Sequence, residues 1–471
     1  MGLKLFLRRT ALETRLLMVE DGAAVEIHVE RPWQSESLGA ICAGRVTAVS
    51  SPQQSATVDL GPDIGNGYLR ARDARFLVAP DAPAKMPIGK SVRRGDRVLV
   101  QVTRPGAEAK DVRITADIAL TGRLVTLHPM RRGVDIPKRL GTEKQRDALM
   151  QALKHLGRDT GIVLRMAARQ AQHAEISAEV DRLTNDWREL LAGYEAADRS
   201  SILMTRPPLM ERALTDMAGA TAEGIYAEGA GLQADLTRLA EKIAPDLVSC
   251  IHPWTDDDDV DADQEIDAAI SPVVPLSGGG RLTIEHTTAL TAIDVDSGDA
   301  TGSNPDDVAL GVNLAAIRET ARQLRLRRIG GPVVVDFITL RKGSDRKKLE
   351  HELAHAFTRD PAPVTVSPPD RNGMATIIRG HGEVRLADLF VQREMTEYLL
   401  PEAAACHVLD QVTIALADAP PGPIAIIFDQ ELELLLPDDV WQTLALETGR
   451  SLTWWVDQFD SLTEFGLERV K

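Results

Sequence analysis

The first thirty residues contain two runs in which apolar and polar positions alternate, LKLFL from Leu3 and AAVEIHVE from Ala23. A period of two predicts strands of an antiparallel sheet with one buried face. From about Leu38 the pattern shortens into glycine-punctuated runs: GAICAGRVTAV, SATVDLG, GNGYLRA, GDRVLVQVT and KDVRITAD. Five short strands over roughly 80 residues predict a small OB-type barrel, an architecture that often binds single-stranded nucleic acid by stacking bases on aromatic side chains over a basic groove. Tyr68 and Phe76 are the aromatics near that face, and simple packing of both is the competing reading.

The period then changes. After a basic loop (Arg131, Arg132, Lys138, Arg139) and a strand-like GIVLRMA, apolar residues fall at Ile176, Val180, Leu183, Trp187 and Leu190, the spacing of an amphipathic helix on a core. Arg206 to Cys250 reads as helix and strand by turns. The acidic run Asp256 to Asp259 reads as a solvated loop, since adjacent side chains seldom converge on one ion.

Candidate chemistry begins at Ser271. Ser277 to Gly280 predicts a tight turn between strands, for it lacks the lysine and following helix of a phosphate loop. The strand TALTAIDVDSG ends with Asp294 and Asp296, which alternation sets on one face, and two like charges so placed invite a cation. Ser303 to Asp307 predicts a helix start, with a capping residue, a proline for the first turn and acids that complement the dipole. The helix presents Leu310, Leu314, Ile317, Ala321 and Leu324 on its apolar face and carries Arg318, Arg322, Arg325, Arg327 and Arg328; Gly330-Gly331 ends it. With Glu319 nearly their sole acidic partner, half of this helix is expected to face phosphate. PVVVDFITL then reads as a buried strand carrying Asp336. A strand-helix-strand crossover sets its strands side by side or one apart, so Asp294 and Asp336 converge at one sheet edge, with a structural role for Asp336 the alternative. Two aspartates with water and a substrate phosphate suffice for Mg2+.

Composition sharpens this reading in part. A chain of 471 residues exceeds one core and predicts three to four units. No apolar run approaches the ~20 residues of a membrane span, and the opening residues lack the form of a secretory signal, so a cytoplasmic protein is expected. Cys42, Cys250 and Cys406 lie too far apart for a sequence-local zinc site and suit a reducing compartment. The net charge of −16 argues against indiscriminate nucleic-acid binding. Against that, Arg318 to Lys348 holds ten Lys and Arg and only three acids, Glu319, Asp336 and Asp345.

The stretches LSGGGRLTIEHTTALTAIDVDSG and NLAAIRETARQLRLRRIGGPVVVDFITL resemble the catalytic region of the ribonuclease E/G family in order, spacing and residue type. The resemblance runs more weakly over nearly the whole chain. It implies an α/β, or α+β, multidomain fold: an RNase H-like domain (1–35 and 206–268), an inserted OB-fold RNA-binding barrel (36–118), a 5′-sensor domain (119–205), a DNase I-like catalytic domain (269–395) and a degenerate link with a small C-terminal domain (396–471). It further implies that Asp294 and Asp336 bind Mg2+, with Asp296 as a third catalytic candidate where the family usually has asparagine. Arg165 and Arg379 resemble the sensor arginines, with Met166 in place of a threonine, and Tyr68, Arg325 and Arg327 are further RNA-binding candidates. The family's zinc-linked dimer uses a CPxC motif, whereas this chain has Cys406-His407. A buried free cysteine is the ordinary reading, a mixed Cys/His site between two chains the alternative, and a homo-oligomer without the usual zinc link stays open. The expected function is Mg2+-dependent cleavage of single-stranded RNA, in RNA processing or decay, to 5′-monophosphate and 3′-hydroxyl ends. The alternatives are a catalytically weak RNA-binding protein of the same fold and a Mg2+-dependent phosphatase or deoxyribonuclease, neither of the last two explaining the barrel.

Overall fold

A computed structural model describes residues 2–33, 37–80, 82–106, 111–219, 222–255, 260–302, 304–380, 382–391, 400–459 and 461–470. The acidic run at 256–259 and the predicted capping Ser303 lie outside them. The chain divides into two compact units, 1–391 and 392–471.

The chain opens with three strands, β1 (Leu3–Arg9), β2 (Thr14–Glu20) and β3 (Ala23–Glu30), paired as an antiparallel meander. The middle strand does not alternate. Its LLMV run is buried on both sides, because Leu5, Leu7, Leu16 and Met18 pack on one face of the sheet while Phe6, Leu17, Val19 and Ile27 pack on the other.

A closed five-stranded barrel follows, made of β4 (Ile41–Ser50), β5 (Ser55–Asp59), β6 (Asn66–Arg70), β7 (Arg97–Arg104) and β8 (Val112–Thr115). It closes because the ten-residue β4 pairs through one half with β5 and through the other with β7. Gly44 sits at the changeover, where an added Cβ would lie 2.6 Å from Val58. A small sheet comes next, in the order β11 (Gly133–Asp135), β12 (Gly161–Leu164), β10 (Val125–His128) and β9 (Leu120–Thr121). Helices α1 (Glu143–Leu153) and α2 (His173–Ala196) accompany it, and Ile176, Val180, Leu183 and Leu190 of α2 fill its core as their spacing predicts. The short β13 (Ser201–Met204) returns to pair with β4.

The chain then re-enters the first sheet. β14 (Ala222–Glu228) lies parallel to β1, α3 (Ala230–Ile243) covers it, and β15 (Ile251–Trp254) forms the edge, giving the order β15, β14, β1, β2, β3. After α4 (Ala262–Ile270) comes a six-stranded sheet. Its elements are β16 (Val273–Pro275), β17 (Arg281–His286), β18 (Thr291–Asp296), α5 (Pro305–Leu326), β19 (Gly331–Asp336), α6 (Gly343–Ala356), β20 (Val364–Val366) and β21 (Met374–Arg379). The strand order is β16, β17, β18, β19, β21, β20, with only β18 and β19 parallel, joined through α5. One face of this sheet packs on α5 and α6 through Ile293, Val295, Val333, Val335, Ile317, Leu324 and Leu349.

Helix α5 is seated differently from the sequence expectation. Arg318 is exposed, but the other arginines do not form a phosphate-facing surface: Arg322 donates to the Ala24 carbonyl at 2.7 Å, Arg325 pairs with Glu20 at 3.0 Å and Glu26 at 2.9 Å, and Arg327 bonds Gln323 and is only 6% exposed. The RNA-contact role expected of Arg325 and Arg327 is therefore corrected, since acids and carbonyls distant in sequence hold both guanidinium groups against the first sheet and α4. Nor does glycine end the helix. Arg328 does, at φ +57°, and its guanidinium bonds the Ile27 carbonyl.

At this junction the largely buried Glu383 faces three guanidinium groups and an imidazole: Arg206 at 2.6 Å, Arg328 at 3.0 Å, Arg212 at 3.3 Å and the His28 ring at 3.1 Å. Burial pushes its carboxyl up, but His28, Arg328 and Arg206 outweigh this and hold it well below the usual carboxylate range.

The second unit has α7 (Pro401–Asp418), β22 (Ile424–Asp429), α8 (Asp438–Thr448), β23 (Leu452–Asp457) and β24 (Phe465–Arg469). β22 is central, parallel to β23 and antiparallel to β24, and Phe428, Trp441, Val408 and Val412 lie in its core. Cys406, expected to be buried, is exposed on α7 beside exposed His407, because the helix turns Ala404, Ala405 and Val408 inward instead. Among the described residues, no helix is long and apolar enough to cross a membrane.

Two stability predictions follow from the α5 junction. Glu383→Gln, measured by chemical denaturation, is expected to lose about 3–5 kcal/mol, because it leaves buried cations without their counter-charge. For Glu26, burial pushes the carboxyl up while His28 and Arg325 hold it lower, at about 2. A depressed carboxyl stabilises the fold above its ordinary pKa of 4.5 and loses that contribution as pH falls from there towards 2, on the order of 3 kcal/mol. Glu26→Gln should flatten the acid limb of the stability curve, and an unchanged limb would refute the assignment.

Candidate functional site

The parallel ladder between β18 and β19 ends at a pair of aspartates, with β18 running two residues further. Their parallel register sets Asp294 directly opposite Asp336, on strands that run about 4.8 Å apart. Because Ile293, Val295, Val333 and Val335 point into the core under α5, the odd-even alternation turns both aspartates to the opposite, open face, where both are exposed. The same register runs across four strands as Thr283, Asp294, Asp336 and Met374. Exposed Met374 and Ile378 from β21 lie on that face too, an apolar floor beside the acids.

The turn after β18 is fixed by close backbone approaches. Gly279, in the β16–β17 turn, has φ +99° and accepts a 2.9 Å hydrogen bond from Asp299 N–H. Gly298 has φ +48°, and a Cβ there would lie 2.6 Å from the Gly279 carbonyl oxygen. The glycine run thus acts as a turn that cradles the loop beyond Asp296.

The three acids are not equivalent. Burial pushes the Asp294 carboxyl up, the like charges of Asp336 and Asp296 push it further, and Arg281 only partly offsets them. Asp296 is held down by the Gly298 N–H, which donates to it at 2.8 Å, and by Arg281 at 2.5 Å. Its extra negative charge, relative to an asparagine, is therefore matched locally by Arg281, a partner that the sequence reading missed although the two pair directly across β17 and β18. The site's hard oxygen donors and the repulsion at Asp294, only partly offset by Arg281, fit a small divalent cation of the Mg2+ type. Among the described residues, no group of three or more His, Cys, Asp or Glu forms a complete metal shell, so such an ion would keep several waters.

Behind the pair, the fully buried Asn313 of α5 clamps the exit of β19. Its side chain donates to the Ile338 carbonyl at 2.8 Å and accepts from the Ile338 N–H at 3.0 Å, two residues beyond Asp336.

The other predicted residues lie elsewhere. Arg165 follows β12 and lines a cavity of about 270 Å3 with Arg123, Arg139, Met166, Thr215 and Asp216. It donates to the Gly122 carbonyl and pairs with Asp216 at 2.8 Å, so a carboxylate of the chain already engages it. Arg379 does not line that cavity. Its guanidinium is buried, bonded to Asp360 at 2.7 and 3.0 Å and to the Ile329 carbonyl at 2.9 Å, and its expected sensor role is corrected to one of closing the sheet.

Tyr68 stands half-buried on the outer side of the barrel, opposite Arg113 of β8, which in turn pairs with Arg104 of β7. Arg70 is two residues along the same strand. Burial lowers the pKa of Arg104 and Arg113, and mutual repulsion with Arg70 lowers both further, the mark of a positive patch. The sequence reading missed this cluster, because its members come from three strands; only Arg70 and Arg72 beside Tyr68 were visible locally. Phe76, by contrast, packs, with the Arg75 guanidinium 4.0 Å from its ring centre.

A closed barrel with a basic outer patch, joined in one chain to a sheet that ends in paired carboxylates, has the charge distribution of a protein suited to phosphate-rich polymers. The comparisons make the class specific. Residues 119–381, more than half of the chain, match the model of the ribonuclease E/G family, and the chain belongs to that family. Ribonuclease G of Escherichia coli K12 is 28% identical over 419 residues, which cover 86% of this chain and 84% of that protein. Ribonuclease G of Haemophilus influenzae is 27% identical over 421 residues (86% and 83%), and ribonuclease E of a Synechocystis strain 28% over 382 residues (76% and 54%). The chain is thus an endoribonuclease of the E/G type.

Asn313→Ala is expected to cost about 1–3 kcal/mol of stability, since it strands the Ile338 N–H and carbonyl. It should also lower kcat more than it raises KM, by loosening the strand that presents Asp336. A kcat equal to that of the parent would restrict Asn313 to a structural role.

Proposed function

We propose that this chain hydrolyses single-stranded RNA at the Asp294–Asp336 pair with Mg2+ as cofactor, leaving 5′-monophosphate and 3′-hydroxyl ends. The registered carboxylates on adjacent parallel strand ends carry the reading. Asp294 and Asp336 would hold the ion, and Asp296, fixed by Arg281 and Gly298, would keep the β18 turn in place and add negative potential beside Asp294. When bound, Mg2+ supplies charge stabilisation at the scissile phosphate and a nucleophile near neutral pH. The exposed Met374 and Ile378 offer apolar support for an unpaired base. Duplex RNA buries its base faces, so single strands suit both this floor and the barrel surface.

On this reading the first sheet is an RNase H-like unit interrupted by an OB-fold barrel and a sensor-like sheet, the six-stranded sheet is the DNase I-like catalytic unit, and residues beyond 391 form the small terminal domain. Arg70, Arg104 and Arg113 with Tyr68 guide RNA. The pairing of Arg165 with Asp216 supports weak recognition of a 5′-phosphate, for an incoming phosphate has to displace a carboxylate. A cytoplasmic RNA-processing or decay role accords with three free cysteines.

The direct test is cleavage of 5′-monophosphorylated, AU-rich single-stranded RNA with and without Mg2+. Asp294→Asn and Asp336→Asn are each expected to lower kcat by about a hundredfold or more while RNA is still bound; even supporting residues around catalytic metals are worth 10–100-fold. Cleavage untouched by both substitutions would sink the metal assignment. RNA binding without cleavage in the parent protein would favour a binding protein of the same fold.

The barrel surface has its own test. Replacing Arg104 and Arg113 by alanine should weaken RNA binding and reduce the slope of log K against log salt by about 0.7 for each lost phosphate contact. An unchanged slope would remove the patch from the RNA path.

A further inference from the structure

Outside the acidic site, one pair of strong metal ligands meets on a rigid element. His351 and His355 lie four residues apart on α6, both exposed, with ring centres 4.4 Å apart and planes inclined by 42°. Residues one turn apart share a helix face, and here the rings meet side by side. The backbone beneath them is firmly held, because Leu349 and Leu353, on the inner face of the same turns, are buried in the core against α5.

The decisive detail is a single hydrogen bond. Nδ1 of His355 lies 2.7 Å from the His351 carbonyl oxygen. A carbonyl only accepts, so Nδ1 carries the proton and Nε2 of the neutral ring keeps its lone pair free. This is the arrangement that orients a metal-ligating histidine and raises its basicity.

We infer that His351 and His355 form a two-imidazole site for a divalent transition metal of the Zn2+, Cu2+ or Ni2+ class, separate from the carboxylate pair. Ligand type makes the two sites selective in opposite directions: imidazole suits Zn2+, Cu2+ and Ni2+, whereas carboxylate and water suit Mg2+. The two rings supply two of the coordination positions, and water fills the others. The local sequence His351-Glu352-Leu353-Ala354-His355 reads as the H-E-x-x-H pattern of zinc hydrolases. Hydrolysis at this place is not the inference. A catalytic zinc of that type takes three protein ligands, and among the described residues no third His, Cys, Asp or Glu joins the pair. The site therefore binds metal on an open helix face without a built active centre.

The test is calorimetric titration of the full chain with Cu2+ and with Zn2+, in millimolar Mg2+, alongside His351→Ala and His355→Ala. Both positions are exposed, and circular dichroism checks that the variants stay folded. One saturable equivalent, weakened at least tenfold in each variant, is the expected result, with Cu2+ electron paramagnetic resonance showing coupling to two imidazole nitrogens that falls to one. No saturable binding, binding unchanged in the variants, loss with only one of the two, or displacement by Mg2+ would each overturn the site. RNA cleavage does not enter these readouts, so failure here leaves the proposal for Asp294 and Asp336 standing.

Discussion

The buried carboxylate of Glu383 determines where helix α5 sits. It gathers Arg206, Arg212, Arg328 and His28 from three separated stretches of the chain, and so ties the end of α5 to the first sheet. An isolated charge at this depth would be very costly, and the cluster is stable only when complete. The strands of the acidic site are packed against that helix. Helix α5 links β18 to β19, its apolar face packs on both, and its Asn313 holds the chain just beyond Asp336. The arginines that look like an RNA surface in sequence are instead part of the scaffold that keeps two aspartates in register.

This explains what was legible in the sequence. Strand alternation is a local rule, so the face shared by Asp294 and Asp296 could be read directly, and the strand-helix-strand order then brought in Asp336. The five barrel strands were visible for the same reason, each being a short run closed by glycine. Arg325, Arg327 and Arg379 were misread because an arginine's role depends on which acid or carbonyl faces it. Their partners, Glu20, Glu26, Ala268 and Asp360, belong to other elements. Strand β2 was missed for a related reason. Covered on both faces, its LLMV run loses the alternation that marks a half-exposed strand.

The surfaces that carry charge outward were the least legible. The patch around Tyr68 assembles arginines from β6, β7 and β8, and no window of sequence contains them together. The chain's overall negative charge even points the other way. Local repulsion among Arg70, Arg104 and Arg113, offset in part by Asp73, coexists with that acidic total because many acids are held in ion pairs of the scaffold.

The first sheet carries a consequence for how the protein is made. Strand β1 pairs with β14, so Leu3 meets Ala222 only after more than two hundred intervening residues have emerged. Those residues include a barrel and a small sheet with cores of their own, able to form while the opening meander still lacks its parallel neighbours. Chain closure over such a span is slow, and the waiting edge of β1 is exposed to wrong partners. Because β13 pairs back onto β4, Ser201 meeting Ala43, the insertion ends beside its own beginning. The barrel's assembly thereby delivers the returning chain to the place it left, shortening the search that completes the sheet.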